Sequence, residues 1–185
     1  MSTQLINREG KVKLFLSLSL LAYASYTAHM ANNMSVIFAM LLSTIGDIFI
    51  MESRGVFEEQ KRDSFTLGVI AFALAHLFYI IAIETKYSNY IAAGTIILVL
   101  ITMYLAVAKK TRDTKACFIP YALCILSNAV NSWIFGLIAG LGMTLFIASD
   151  VILSLTEERN PKWQIAIWAT YVPAQALLIT SILLK

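Results

Sequence analysis

Five stretches of the chain contain no Asp, Glu, Lys or Arg: Leu14 to Gly46, Ser64 to Ile83, Tyr87 to Ala108, Ala116 to Ser149 and Trp163 to Leu184. Each is long enough for one or two bilayer crossings of about 20 residues. Polar breaks divide them further. His29-Met30-Ala31-Asn32-Asn33 interrupts the first, and Asn128, Asn131 and Ser132 mark the expected end of a helix in the fourth. The pattern predicts seven helices, near 12–29, 35–52, 65–84, 89–108, 115–133, 136–156 and 162–184. Ser64, Asn89 and Asn160-Pro161 are the expected helix starts, because a short polar cap satisfies orphan N–H groups and proline tolerates the first turn. No stretch remains for a separate soluble domain, so residues 1–185 read as a single polytopic membrane domain.

Composition agrees with this pattern and narrows what the protein does. With 59% hydrophobic and 14% charged residues, and a mean hydropathy of +0.76, the chain falls well short of the roughly one-quarter charged residues of a soluble domain. A soluble enzyme, a nucleic-acid binder, a disordered tail and a disulfide-stapled secreted domain are thereby excluded. The net charge of +3 does not form a patch. Twelve basic residues fall on one side of the predicted helices (Arg8, Lys11, Lys13, Arg54, Lys61, Arg62, Lys109, Lys110, Arg112, Lys115, Arg159 and Lys162), against Lys86 and Lys185 on the other. Cytoplasmic loops hold such an excess, which predicts a cytoplasmic N-terminus and an external or periplasmic C-terminus, in the inner membrane if the source is a bacterium. The basic start before a long apolar run without an A-x-A-like site reads as a retained first span. Cys117 and Cys124 are seven residues apart, about 10 Å along a helix, too far to bridge.

Candidate chemistry lies in the polar residues inside these spans. A carboxylate at a helix centre costs about 2.5–3.5 kcal/mol on insertion scales, so it normally faces the bundle interior with a partner or a function. Asp47 and Asp150 are the two such residues. Each precedes a charged residue by seven positions, Arg54 and Glu157, which places both about 10 Å above the same end of their helices. A purely structural pair, bonded to hydroxyls such as Ser43 or to helix ends, is the alternative. His76 lies mid-span with Tyr79 one turn along the same face. Tyr171 and Gln175 share a face of the last helix, with Pro173 between them able to free a carbonyl beside a cavity. A metal centre is not expected: a catalytic zinc usually takes three protein ligands, and one buried histidine with two aspartates is a poor set. No cofactor is expected either. Gly136, Gly140 and Gly142 suggest close helix packing, and Trp133 and Trp163 interfacial anchors. Finally, Gly46-Asp47-Ile48-Phe49-Ile50 echoes Ser149-Asp150-Val151-Ile152-Leu153, which fits two three-helix units joined by the fourth helix, a 3+1+3 pseudo-repeat.

Four segments in this order, Thr44-Ile45-Gly46-Asp47, Phe72 to Tyr79 around His76, Phe146-Ile147-Ala148-Ser149-Asp150 and Tyr171-Val172-Pro173-Ala174-Gln175, resemble the YhhN-like lysoplasmalogenase family over about residues 12–180. The resemblance implies a multispanning membrane hydrolase that cleaves the vinyl ether bond of lysoplasmalogens, releasing a fatty aldehyde and a glycerophospho-headgroup. Its partner is then a lysophospholipid in the bilayer.

Vinyl ether hydrolysis suits two carboxylates. Protonation of the carbon beta to the ether oxygen gives an oxocarbenium ion, which captures water and collapses through a hemiacetal. One carboxyl supplies the proton and the other, ionised, stabilises the cation and orients water, as in glycosidases. On this reading Asp47, Asp150 and His76 are catalytic, with His76 bonded to a carboxylate, and either aspartate suits either role. Tyr79, Tyr171 and Gln175 line the cavity and bind the headgroup or water. The competing reading is a proton-coupled transporter in which Asp47, His76 and Asp150 form a relay. A zinc-dependent lipid amidase would need further histidines after His76, and the sequence has none.

Overall fold

The computed structural model describes residues 8–52, 58–108, 118–155 and 161–185. Among them are seven α-helices: α1 (Arg8–Ala31), α2 (Ser35–Glu52), α3 (Glu58–Ala82), α4 (Ser88–Ala108), α5 (Phe118–Phe135), α6 (Leu137–Leu155) and α7 (Pro161–Leu183). Five contain stretches long and apolar enough to cross a membrane, namely Gly10–Ala31, Ser64–Ala82, Phe118–Phe135, Leu137–Leu155 and Lys162–Leu183. The apolar parts of α2 and α4, Ser35–Met51 and Ser88–Met103, are shorter. The chain is an all-helical membrane protein, and large apolar side chains such as Phe15, Tyr90, Leu137 and Ile165 point outward where a soluble protein would carry charge.

The helix ends follow from local chemistry. Asn32 adopts a left-handed φ of 51° just after α1, and the N–H of Asn33 reaches back to the Ala28 carbonyl at 3.0 Å, the 6→1 bond of a Schellman cap with asparagine in place of glycine. The Asn33 side chain then accepts from Ser35 N and donates to the Ala82 carbonyl at 2.8 Å, tying the α1–α2 corner to the end of α3. Two expectations change. Helix α3 begins at Glu58, so Ser64 is an interior residue and not a cap; Glu58-Glu59-Gln60-Lys61-Arg62 is built of good helix formers that extend the helix past its apolar part. Helix α5 runs through Asn128, Asn131 and Ser132, all buried, and breaks instead at Gly136. Cys117 lies outside the described residues.

Six helices close into a ring in the order α1, α2, α3, α5, α6, α7, with α7 returning to α1, while α4 packs outside against α5 and α3. Exchanging α1–α3 with α5–α7 leaves the six contacts of the ring unchanged but not those of α4, which packs against α5 and α3 and not against α1 and α7. The most extensive contacts, α2 with α3 and α6 with α7, correspond under that exchange. In lipid, apolar surface gives helices little drive to associate, so close approach and interhelical hydrogen bonds matter, the latter worth about 0.6 kcal/mol each on average. Close approach is visible at both pairs. A Cβ on Gly68 would lie 2.8 Å from Ile50 and 3.2 Å from the Gly46 carbonyl, and one on Gly142 would lie 3.1 Å from the Ala174 carbonyl and from Leu178 N. Gly140 makes room for the Trp133 ring at the α5–α6 reversal, whereas Gly136 meets nothing. Helix α7 continues through Pro173.

Candidate functional site

A cavity of about 650 Å³ lies toward the end of the ring at which α1, α3, α5 and α7 begin and α2 and α6 end. Its walls are mainly apolar, with Phe65, Phe72, Ile125, Leu126 and Ile147 among them. Asp47 and Asp150 both line it, one from α2 and one from α6. Asp47 and Asp150 each lie five residues before the last described residue of their helices, Glu52 and Leu155, and reach one space. Tyr171, Lys13, Tyr121 and Trp168 also reach the cavity. The surroundings are hydrophobic, two carboxyl groups face one space, and a lipid chain would find a matching wall.

Asp47 is 7% exposed and anchored by hydroxyl groups from two other helices. Ser17 of α1 donates to its Oδ2 at 2.7 Å, and Tyr171 of α7 donates to the same oxygen at 3.0 Å. Ser43, the partner that a purely structural reading would give it, is not one: its hydroxyl is buried without a hydrogen bond among the described residues. Behind Tyr171 the chain continues, because Gln175 Nε2 donates to the Tyr171 hydroxyl at 3.1 Å and Tyr79 donates to Gln175 Oε1 at 2.5 Å. Its direction is fixed. The amide oxygen of Gln175 is taken by Tyr79, its nitrogen can only donate to Tyr171, and the proton of Tyr171 must therefore point at Asp47. Beyond Tyr79, among the described residues, lies Met40 Sδ at 3.9 Å. Tyr79 and Gln175, both fully buried, are thus core supports of Asp47 and not cavity-lining residues, which corrects the expected substrate-binding role; of the three, Tyr171 alone lines the space.

Asp150 is held differently. Tyr121 of α5 donates to its Oδ2 at 2.5 Å, and the Oδ1 atom carries no hydrogen bond from the described residues. His76 does not bond to a carboxylate. Its Nδ1 faces the Asn128 amide nitrogen at 3.1 Å, its Nε2 is buried without a partner, and its ring stacks edge-on against Phe146 at a centroid distance of 4.7 Å. The reason is topological: His76 lies farther along α3 than the cavity reaches, at the level where α5 presents Asn128. Asp47, His76 and Asp150 therefore form no direct relay.

Ser17 and Tyr121 were not among the sequence candidates. Ser17 precedes Asp47 by 30 residues and Tyr121 precedes Asp150 by 29, so each aspartate takes a hydroxyl from the helix before its own, one register position apart. Asn131 was also missed in this role. It donates to the Ile80 and Ile83 carbonyls and accepts from Thr85 and Ser88, sealing the far end of α3. At the cavity rim, Lys13 Nζ donates to Gln164 Oε1 at 2.6 Å and lies 5.7 Å from the centre of the Trp168 ring. Among the described residues, no three His, Cys, Asp or Glu side chains gather as a metal site would require.

Comparison with curated proteins returns no match, and comparison with solved structures returns none either. The YhhN family model, in contrast, matches residues 11–182, from the first helix through the last and including Asp47, Asp150 and every residue of the chain behind Asp47, and the protein belongs to the YhhN family.

Proposed function

We propose that the protein is a membrane hydrolase of the lysoplasmalogenase type, which cleaves the vinyl ether bond of a lysophospholipid to a fatty aldehyde and a glycerophospho-headgroup. The observation that carries this reading is the pair Asp47 and Asp150, on α2 and α6, facing a single apolar cavity. Membership of the YhhN family supports it. The chemistry needs an acid to protonate a carbon, a negative charge beside the cation and a place for water. Two carboxyl groups in a water-poor space supply the first two, where electrostatic stabilisation is worth far more than in water. Seating the vinyl ether between them turns two encounters into one oriented complex.

The surrounding residues fit this use. The apolar wall from Phe65 to Leu126 takes the alkenyl chain, and the headgroup lies at the rim near Lys13 and Trp168. Read with the count of basic residues, the cavity serves the cytoplasmic leaflet. Ser17 and Tyr171 hold the Asp47 carboxylate in place against that wall.

The test is incubation of purified protein in detergent micelles with a lysoplasmenyl lipid, followed by aldehyde detection. The expected outcome is stoichiometric aldehyde and glycerophospho-headgroup, with no reaction of the saturated ether analogue, which has no double bond to protonate. Solute movement across sealed liposomes without chemical change would replace this reading with that of a transporter.

A further inference from the structure

Asp47 and Asp150 line the same cavity but differ in their hydrogen bonds, and the difference separates their roles. The Oδ2 atom of Asp47 receives two hydroxyl hydrogens, and the direction of one is enforced by Gln175 and Tyr79 behind it. That oxygen is built as an acceptor. Asp150 has a single clamp, Tyr121, on Oδ2. An aspartate carboxyl turns broadly about its terminal torsion, so fixing one oxygen by a 2.5 Å bond fixes where the other points. Oδ1 is not among the buried, unpartnered atoms, and Asp150 lines the cavity, so this oxygen is the one presented to the space.

We propose that Asp150 is the proton donor of the reaction, that Tyr121 is the positioning residue that aims it, and that Asp47 is the carboxylate that faces the cation. This rests on the hydrolase reading above. In the first step the proton on Asp150 Oδ1 passes to the carbon beta to the ether oxygen. The C=C π electrons form the new C–H bond, the positive charge is shared between the alpha carbon and the ether oxygen, and Asp150 is left as a carboxylate. Water then adds to the alpha carbon and its proton returns to Asp150, giving the hemiacetal. The C–O bond to glycerol breaks as the hemiacetal hydroxyl loses its proton and the leaving oxygen gains one. One water is consumed and both carboxyl groups regain their starting states. Tyr121 keeps its own proton on Oδ2 throughout, holding the acid on one face of the double bond.

A fixed acid leaves a stereochemical record. Turnover in D₂O should place one deuterium on the carbon next to the aldehyde, on one face only. Tyr121→Phe removes the clamp with little change of volume. It should lower kcat by about 100-fold, the cost of a misaimed reacting group, with KM nearly unchanged and with deuterium distributed over both faces. Asp150→Asn should lose facial selectivity in whatever product remains, whereas Asp47→Asn should be slow but selective. Wild-type rate and selectivity in Tyr121→Phe, or loss of selectivity in Asp47→Asn with retention in Asp150→Asn, would overturn the assignment. A second measurement needs no turnover and so separates this inference from the hydrolase reading. Infrared H₂O/D₂O difference spectra of the purified protein should contain a carboxylic acid C=O band that vanishes in Asp150→Asn, shifts in Tyr121→Phe and persists in Asp47→Asn. No such band in the wild type, or its disappearance in Asp47→Asn, sinks the proposal.

Discussion

Asp47 and Asp150 stand out in the bare sequence because a carboxylate within an apolar run is costly, and a costly residue needs a reason. Their partners do not stand out. Ser17 and Tyr121 are a serine and a tyrosine among many in the spans, and a hydroxyl in a helix satisfies itself cheaply on the preceding turn, as Ser19 does on Phe15 and Ser25 on Leu21. Nothing about Ser17 alone distinguishes a hydroxyl that crosses to another helix. His76 misleads for the same reason in reverse. A lone intramembrane histidine suggests chemistry, yet its bond goes to Asn128, a residue whose polarity had suggested a helix end. Replacing either aspartate by asparagine keeps its size and removes its proton exchange. Asp47→Asn and Asp150→Asn should each lower the rate of aldehyde release by at least about 100-fold, in the range of a lost acid or base. The double variant should be little slower than the worse single one, because groups acting on one transition state are not additive. A normal rate in either folded variant would show that carboxylate to be structural.

The helices themselves were legible because their signal is length: an uncharged run of membrane-spanning size can only be a helix in lipid, where every backbone group must be paired within its own segment. The boundaries were less so. The charged start of α3 obeys helix propensity and not hydropathy, and the buried Asn128, Asn131 and Ser132 satisfy carbonyls, an imidazole and one another through contacts that exist only once α3 and α5 meet. Packing contacts are likewise invisible in the sequence. Gly136, Gly140 and Gly142 look alike as letters, but only the last two face neighbours, and Gly142 alone meets the backbone of α7. Backbone atoms cannot swing aside. Gly142→Ala should therefore destabilise the α6–α7 pair by about 1–3 kcal/mol, the usual cost of overpacking, and lower the unfolding midpoint measured in detergent. Gly94→Ala on the outer helix α4, where nothing lies within 4 Å of the added carbon, should be neutral or stabilising by up to about 1 kcal/mol.

The ring as a whole places both aspartates, the cavity and the rim residue Lys13 at the end of the bundle where α1 starts. On the skewed count of basic residues we propose that this end faces the cytoplasm. With single cysteines introduced into intact cells, a membrane-impermeant thiol reagent applied from outside should label a probe next to Lys86 and miss one next to Lys110. The reverse pattern would turn the molecule over, and labelling of both would break the helix count. One more property follows from the hydrogen bonds behind Asp47. They run inward through Tyr171 and Gln175 and stop at Tyr79 against the sulfur of Met40, with apolar core beyond. The proposed hydrolase would then take up and return its protons through one aqueous phase. Its turnover would be electroneutral, and the rate of aldehyde release in sealed proteoliposomes should not change when a membrane potential is imposed.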